Sequence, residues 1–405
     1  MLKFGSKAKD MLYVFITSFF SKGLMGVITL LIIRYMDYGE YALYTFLLSV
    51  SGLVSGIFVA SVNNIYIVGC NKLSLKEDKT SLCFVQTVLV VLFTILLGII
   101  FGIKGTGLLA ITLLTVAVCF SEFIKTAYQN VQNFSQYNYV ELYRVGIFAT
   151  LIFVYVVLFT NSILAISVIL LNSLAFLAAA MINKKVFTFF SLDQCLGDGV
   201  KTFKIIFNSD YKFLFIYMAL LTVLANINVF FLRSFAPESD LASYGVAFQF
   251  YNIYALILGA ITTVMFPGIV NAETKQKMKD LFELQSKIFK VMFLFVAVTD
   301  VFIVEFIKLY FVGKYDGAIP AFLVFSLLSV FSVMLSPYMT VVLKFECFKP
   351  LCKCVSGVVL LHCLLVFFLY PILGILGMAL SLSLSYTLIN IYGYVKGKKF
   401  LMDKY

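Results

Sequence analysis

The chain has 405 residues, of which 62% are hydrophobic and only 13% charged, and its mean hydropathy is +1.02. A soluble domain of this length could not cover so much apolar side chain, so the composition excludes a soluble fold and indicates a polytopic membrane protein. The net charge of +11 resides between apolar runs, where membrane orientation explains it better than nucleic acid, and no nucleic-acid partner is expected.

From the N-terminus, Lys3, Lys7 and Lys9 precede an apolar run from Met11 to Ile33, long enough to cross the hydrocarbon as a helix. It has neither the short core nor the Ala-x-Ala site of a cleaved signal and is read as the first span. Further spans follow at Ala42 to Val68, Leu82 to Ile103, Gly107 to Tyr128, Leu142 to Phe159 and Ile163 to Ile182. A polar connector from Asn183 to Lys212 is read as a solvated linker in preference to an amphipathic surface helix. Six more spans run Phe213 to Leu232, Ala242 to Val270, Ile288 to Ile307, Ile319 to Leu343, Val355 to Tyr370 and Ile372 to Val395. The expected organisation is an N-terminal six-helix bundle (1–182), a cytoplasmic connector (183–212) and a C-terminal six-helix bundle (213–405).

The two halves echo each other. RYMDYGEYALY, Arg34 to Tyr44, returns as RSFAPESDLASY, Arg233 to Tyr244: an Arg closes one apolar run, two acids follow, and the next run opens at Ala-x-Tyr. An even number of spans per half makes both halves insert the same way up. The expected fold is therefore all-α, with 12 transmembrane helices in two bundles related by an axis along the membrane normal, forming a V with a central cavity. Twenty-five Lys and Arg fall on the side holding both termini and five on the other, so both termini are expected to be cytoplasmic. The outer connections are short, which places function among the helices.

Soluble-type chemistry finds little support. Cys70, Cys195, Cys347, Cys352 and Cys354 fall on the reduced side, and Cys83, Cys119 and Cys363 sit in apolar runs, where a thiol packs as a small hydrophobe. Cys347 to Cys354 lacks the paired spacing and nearby His of a metal site, and His362 is the single His, so no metal site, triad or His relay is expected. No nucleotide-binding or hydrolase motif is present, and no cofactor or enzymatic activity is expected.

The informative residues are the ionisable ones at membrane depth, where charge is costly and generally faces a bundle interior or a water-filled cavity. Lys22 lies mid-span among Ser21, Gly23 and Gly26, too deep to snorkel easily. Glu122 and Lys125 share a helix face and are expected to pair. Arg144, across the turn QNVQNFSQYN, either snorkels inward or lines a cavity mouth beside them. Asp300 and Glu122 are the candidate acids for holding a proton or a cation such as Na+, while Glu305 is interfacial. Arg34 and Arg233, with Asp37, Glu40, Glu238 and Asp240, form the candidate outer gate. The 24 Tyr and 44 Phe, with no Trp, fit interfacial belts and lipid-facing surfaces.

The twelve spans in two halves, Arg34 with Tyr41-Ala42-Leu43-Tyr44, the turn from Tyr128 to Phe134, the echo Ser243 to Ala247, and Phe266-Pro267 together resemble bacterial polysaccharide transporters. That branch of the multidrug, oligosaccharidyl-lipid and polysaccharide exporter (MOP) superfamily includes the Wzx-type O-antigen flippases. The resemblance covers nearly the whole chain through loose motifs. Ala42 stands where the family often has Gly. Asn226 and Asn228 stand where many relatives carry an acid, which argues against cation coupling through that span.

The resemblance implies a flippase of the bacterial inner membrane. Its cargo would be an undecaprenyl-diphosphate-linked oligosaccharide, its partners the bilayer and also a polysaccharide polymerase and a chain-length regulator. A diphosphate needs cations inside the bundle, and Lys22, Lys125 and Arg144 are the residues assigned to it. A cation-coupled multidrug exporter keeps the fold but favours a more acidic cavity. A membrane polysaccharide polymerase or ligase needs a long outer loop that is absent from the sequence. A structural partner of glycan-assembly enzymes would not transport on its own.

Overall fold

A computed structural model describes residues 4–69, 79–130, 133–158, 163–183, 192–270, 275–345 and 347–404, all the regular structure among them being helical. Cys70, and Val131 and Gln132 of the polar turn, lie outside the described residues, as do the side chains of Cys195, Phe266 and Pro267. The chain divides into two compact units, Met1–Phe230 and Phe231–Tyr405.

The first unit opens with α1 (Phe4–Tyr35) and α2 (Tyr38–Ser55). A π-helical turn, Gly56–Ala60, joins α2 to α3 (Ser61–Gly69), so that Tyr38–Ile67 serves as one span. The unit continues with α4 (Lys79–Ile100), α5 (Gly105–Asn130), α6 (Phe134–Leu158), α7 (Ala165–Ile182), α8 (Leu192–Asn208) and most of α9 (Tyr211–Phe235).

The π turn has identifiable supports. A Cβ on Gly56 would overlap the Thr222 side chain of α9, so the chain passes there only because position 56 carries hydrogen. The wider turn disturbs the regular ladder of carbonyl bonds. Ser61 Oγ donates to Gly56 O at 2.9 Å, and the fully buried Gln86 of α4 donates to Phe58 O at 3.2 Å and to Asn63 Oδ1 at 3.1 Å. Behind this turn Val54, Val59, Cys83, Val90, Cys119 and Phe123 form a core, so Cys83 and Cys119 do pack as buried thiols.

Two expectations need correction. Residues 192–208 are not a loose linker but form α8, which packs on α4. The approach is close: a Cβ on Gly199 would lie 2.5 Å from Ser81 O. Thr202 and Ile206 are buried along with Gly199, while Lys201 and Lys204 face outward, so the segment is amphipathic and its polar average conceals that. The fifth span also starts earlier than its apolar run. Asn133 Oδ1 accepts the Gln136 backbone N–H at 3.2 Å, which caps α6 and makes the two turns before Leu142 helical.

The second unit contains the end of α9, then α10 (Glu238–Val270), α11 (Lys275–Phe311), α12 (Ala318–Lys344), α13 (Phe348–Leu373) and α14 (Ile375–Lys404). α12 is its centre, packed against α10, α11 and α14. Gly393 and Gly397 of α14 bring that helix against Met339 and the Tyr338 carbonyl. Pro337 lies inside α12 without ending it. The only His, His362, is fully buried and lies 3.1 Å from Ser385 Oγ, a packing role.

Nine stretches among the described residues have the length and composition to cross a membrane. The other three expected spans fall in α1, α10 and α11, which are helices of 32, 33 and 37 residues. At 1.5 Å per residue α11 reaches about 55 Å, well beyond a hydrocarbon core of about 30 Å. Its first turns carry exposed Lys279 and Glu283, paired at 4.0 Å. The protein is a multi-pass helical membrane protein.

The sequence echo reflects packing. In each unit the helix after the Arg starts within a few residues, at Tyr38 and Glu238, and buries its Ala and Tyr: Ala42 and Ala242 are wholly buried, Tyr44 and Tyr244 nearly so.

Candidate functional site

Four helices of the first unit converge on a charged cluster: α1 through Thr17, Ser21, Lys22 and Met25, α5 through Glu122 and Lys125, α6 through Tyr137, Asn138, Glu141 and Arg144, and α7 through Phe176. Spacings of three and four put each helix's members on one face. Glu141 is the centre. Its Oε1 accepts Arg144 Nη2 at 2.5 Å, and its Oε2 accepts Arg144 Nε and Lys125 Nζ, both at 3.4 Å. Lys125 also donates to Glu122 at 2.8 Å and lies over the Tyr137 ring at 5.4 Å.

Arg144 is held within this cluster. Its guanidinium sits 4.5 Å from the Phe176 ring centre, with Met25 Sδ at 4.0 Å, and only 9% of its side chain is exposed. A buried cation of this kind requires its carboxylate, because removing one partner leaves an uncompensated charge.

Beside the cluster lies a cavity of about 180 Å³ lined by Thr17, Ser21, Lys22, Lys125, Tyr137, Asn138 and Glu141. Three cations, Lys22, Lys125 and Arg144, meet two carboxylates, Glu122 and Glu141, and the ion pairs match both carboxylates to Lys125 and Arg144. Lys22 is exposed and makes no ion pair or hydrogen bond among the described residues. Two neutral groups on the cavity wall are also unused: Ser21 Oγ and Asn138 Nδ2 are buried and have no hydrogen-bond partner among the described residues. A buried donor left unmade costs about 1–3 kcal/mol. The cavity thus presents one cation without an ion pair and two polar atoms without hydrogen-bond partners among the described residues.

The structure brings Lys22 and Lys125 to one cavity, with Arg144 held behind Glu141. Glu122 takes the pairing with Lys125. Glu141, Ser21, Thr17, Tyr137 and Asn138 complete the site and escaped sequence reading. The spacing of Tyr137 and Asn138 from Glu141, and of Glu141 from Arg144, by three and four residues was the signal for the α6 members, hidden because the first three precede the apolar run that opens at Leu142, while Thr17 and Ser21 are neutral polar residues inside the first apolar run.

Asp300 belongs to the second unit. Tyr254 OH donates to its Oδ1 at 2.7 Å and Ser326 Oγ to its Oδ2 at 2.6 Å, with Thr299 Oγ1 lying 2.8 Å from the Tyr254 hydroxyl. It is a half-buried carboxylate surrounded by hydroxyls, with no cation paired to it among the described residues.

Among the outer-corner acids, Glu238 lies 3.6 Å from Arg233. Glu40 Oε2 accepts the Ala165 backbone N–H at 2.6 Å, which places a carboxylate where the first N–H groups of α7 are unpaired and their dipole is positive. Asp240 accepts the Tyr370 hydroxyl at 3.0 Å, and Asp37 occupies the N-cap position of α2 without a side-chain cap bond. Glu305 pairs with Lys308 at 3.2 Å, both exposed.

No family model matches the sequence, and no curated protein matches it either. Solved structures do. The lipid II flippase MurJ, in an inward closed conformation, superposes with a TM-score of 0.75 at 14% identity, covering 96% of this chain and 87% of that one. A mutant of the Vibrio cholerae MATE transporter VcmN gives 0.62 at 11% identity over 98% of this chain and 97% of that one. An inward-facing multidrug resistance MATE family transporter of the MOP superfamily gives 0.54 at 14% identity, over 95% and 94%. This chain has the fold they share.

Proposed function

We propose that this protein is a flippase that moves an undecaprenyl-diphosphate-linked oligosaccharide, a surface-glycan repeat unit such as that of O-antigen, across the bacterial inner membrane by alternating access. The observation that carries the reading is Lys22, a cation with no ion pair among the described residues, on a polar cavity within a membrane-embedded helical unit. A sugar diphosphate cannot enter hydrocarbon without such partners, whereas its polyprenyl tail can stay in lipid. The likeness to a lipid II flippase supports a lipid-linked cargo. Lys125 and Arg144, paired with Glu122 and Glu141, secure the cavity wall beside Lys22. A polysaccharide polymerase and a chain-length regulator would act on the product.

Asp300 favours cation coupling, because it is a carboxylate held by hydroxyl groups with no cation paired to it among the described residues, whereas Glu122 is committed to Lys125. It also favours a second reading, a cation-coupled multidrug exporter, whose cargo would bypass Lys22. The corner residues Arg34, Asp37, Glu40, Arg233, Glu238 and Asp240 are proposed to act at the outer gate.

Purified protein reconstituted into vesicles with no other component should move a fluorescent lipid-linked oligosaccharide between leaflets. Collapsing the H+ and Na+ gradients, or Asp300→Asn, should slow it. A protein that exports cationic dyes and ignores the lipid-linked sugar would establish the second reading instead.

A further inference from the structure

The cavity beside Lys22 has a more specific chemistry than positive charge. Lys125 and Arg144 are neutralised by Glu122 and Glu141 at 2.5–3.4 Å, so the site offers a net charge of one unit, carried by Lys22. Ser21 and Asn138 are each only 1% exposed, and Ser21 Oγ and Asn138 Nδ2 lack hydrogen-bond partners among the described residues. They flank Lys22 from two helices, α1 and α6, on the wall of the same cavity of about 180 Å³. An amide nitrogen can only donate, so what it meets must accept.

We infer that Ser21, Lys22 and Asn138 form a subsite for a single singly charged phosphoryl group, of the kind found in a phosphodiester. Each phosphorus of a sugar–diphosphate–lipid has that character, with one ionised oxygen and a further acceptor oxygen. A phosphate monoester differs: its second pKa is about 6, so it places close to two charges on one phosphorus at neutral pH. The subsite can match that second charge only by taking Lys125 from Glu122 and Glu141 or Arg144 from Glu141. Neutral donors in place of a second free cation thus favour a carrier joined to its sugar over a bare carrier phosphate.

Where the phosphoryl group belongs to a transported cargo, the inference rests on the flippase reading. An anionic phospholipid such as phosphatidylglycerol presents the same diester chemistry and is the other source.

The test uses the full-length protein in nanodiscs of zwitterionic lipid and follows binding calorimetrically. The probes are geranyl diphosphate-N-acetylglucosamine, geranyl phosphate and short-chain phosphatidylglycerol. The wild type should bind the sugar diphosphate about tenfold more tightly than the monoester. Ser21→Ala should weaken that binding about threefold and Asn138→Leu about tenfold, the range expected for lost hydrogen bonds to a charged group. Lys201→Ala, on the exposed face of α8, should change nothing.

Thermal unfolding without ligand separates binding from structure. Because Ser21 Oγ and Asn138 Nδ2 have no hydrogen-bond partners among the described residues, Ser21→Ala and Asn138→Leu should keep or raise the wild-type Tm while binding falls. Variants that bind the sugar diphosphate as tightly as wild type, or a wild type that prefers the monoester, would overturn the subsite and leave the transport reading standing. Donor-dependent binding of phosphatidylglycerol without binding of the sugar diphosphate would uphold the subsite and sink the transport reading.

Discussion

Glu141 is the residue on which the charged cluster depends, because two cations drawn from two helices converge on its carboxylate. Deleting it should leave Arg144 buried without a counter-charge, which for a fully buried pair costs about 3–5 kcal/mol. A fifth of the Glu141 side chain is exposed (21%), so solvent screening lowers the expected cost to about 1–3 kcal/mol. Glu141→Ala should accordingly lower the Tm and the yield of folded protein, whereas Lys22→Ala should not. Thermal unfolding of the two variants in detergent checks this, and a Glu141→Ala protein as stable as wild type would show that the cluster is not structural. Lys22, Glu122, Lys125 and Arg144 were legible in the sequence because a charge inside an apolar run is expensive and therefore conspicuous. Ser21 and Asn138 were not, since neutral polar groups are common in membrane helices and only the fold reveals which lack partners. Glu141 stood just outside an apolar run, and hydropathy cannot see a helix that begins in polar residues under an Asn133 cap.

At the scale of elements, apolar runs found the helices well because backbone groups in hydrocarbon have few alternatives to helical bonding. The π turn at Gly56–Ala60 could not be read that way, since its causes lie in distant parts of the chain: Thr222 on α9 forbids a side chain at position 56, and Gln86 on α4 binds the Phe58 carbonyl. Gly56→Ala should therefore destabilise the first unit by about 1–3 kcal/mol, the usual cost of overpacking a close contact. Thr222→Ala removes the two side-chain atoms nearest to the clash, so the double variant should recover much of that loss. A thermal-unfolding cycle in which the two changes simply add would mean that this contact does not shape the turn. The segment 192–208 went unread for a related reason, because a small residue pressed against the Ser81 carbonyl looks like any other linker glycine.

For the whole molecule, the corner echo leads us to propose an internal repeat, and charge asymmetry leads us to propose that both termini are cytoplasmic. A cysteine replacing Lys104 should react with an impermeant reagent in intact cells with the outer membrane permeabilised, and one placed after Tyr405 should react only in inverted vesicles; the opposite pattern would reverse the assigned orientation. The cargo was beyond reach of the sequence, since the diphosphate requirement rests on a few cations and the glycan on no identifiable motif. The proposed transport mechanism turns on Lys22. Its most direct test is the rate of lipid-linked oligosaccharide flipping in reconstituted vesicles, scaled to the amount of inserted protein, for Lys22→Arg, Lys22→Ala and Lys22→Glu. The arginine variant should keep most of the rate, the alanine variant should lose about tenfold, equivalent to ~1.4 kcal/mol, and the glutamate variant should fall to background. A well-inserted Lys22→Glu protein that flips at the wild-type rate would contradict the cationic-site mechanism.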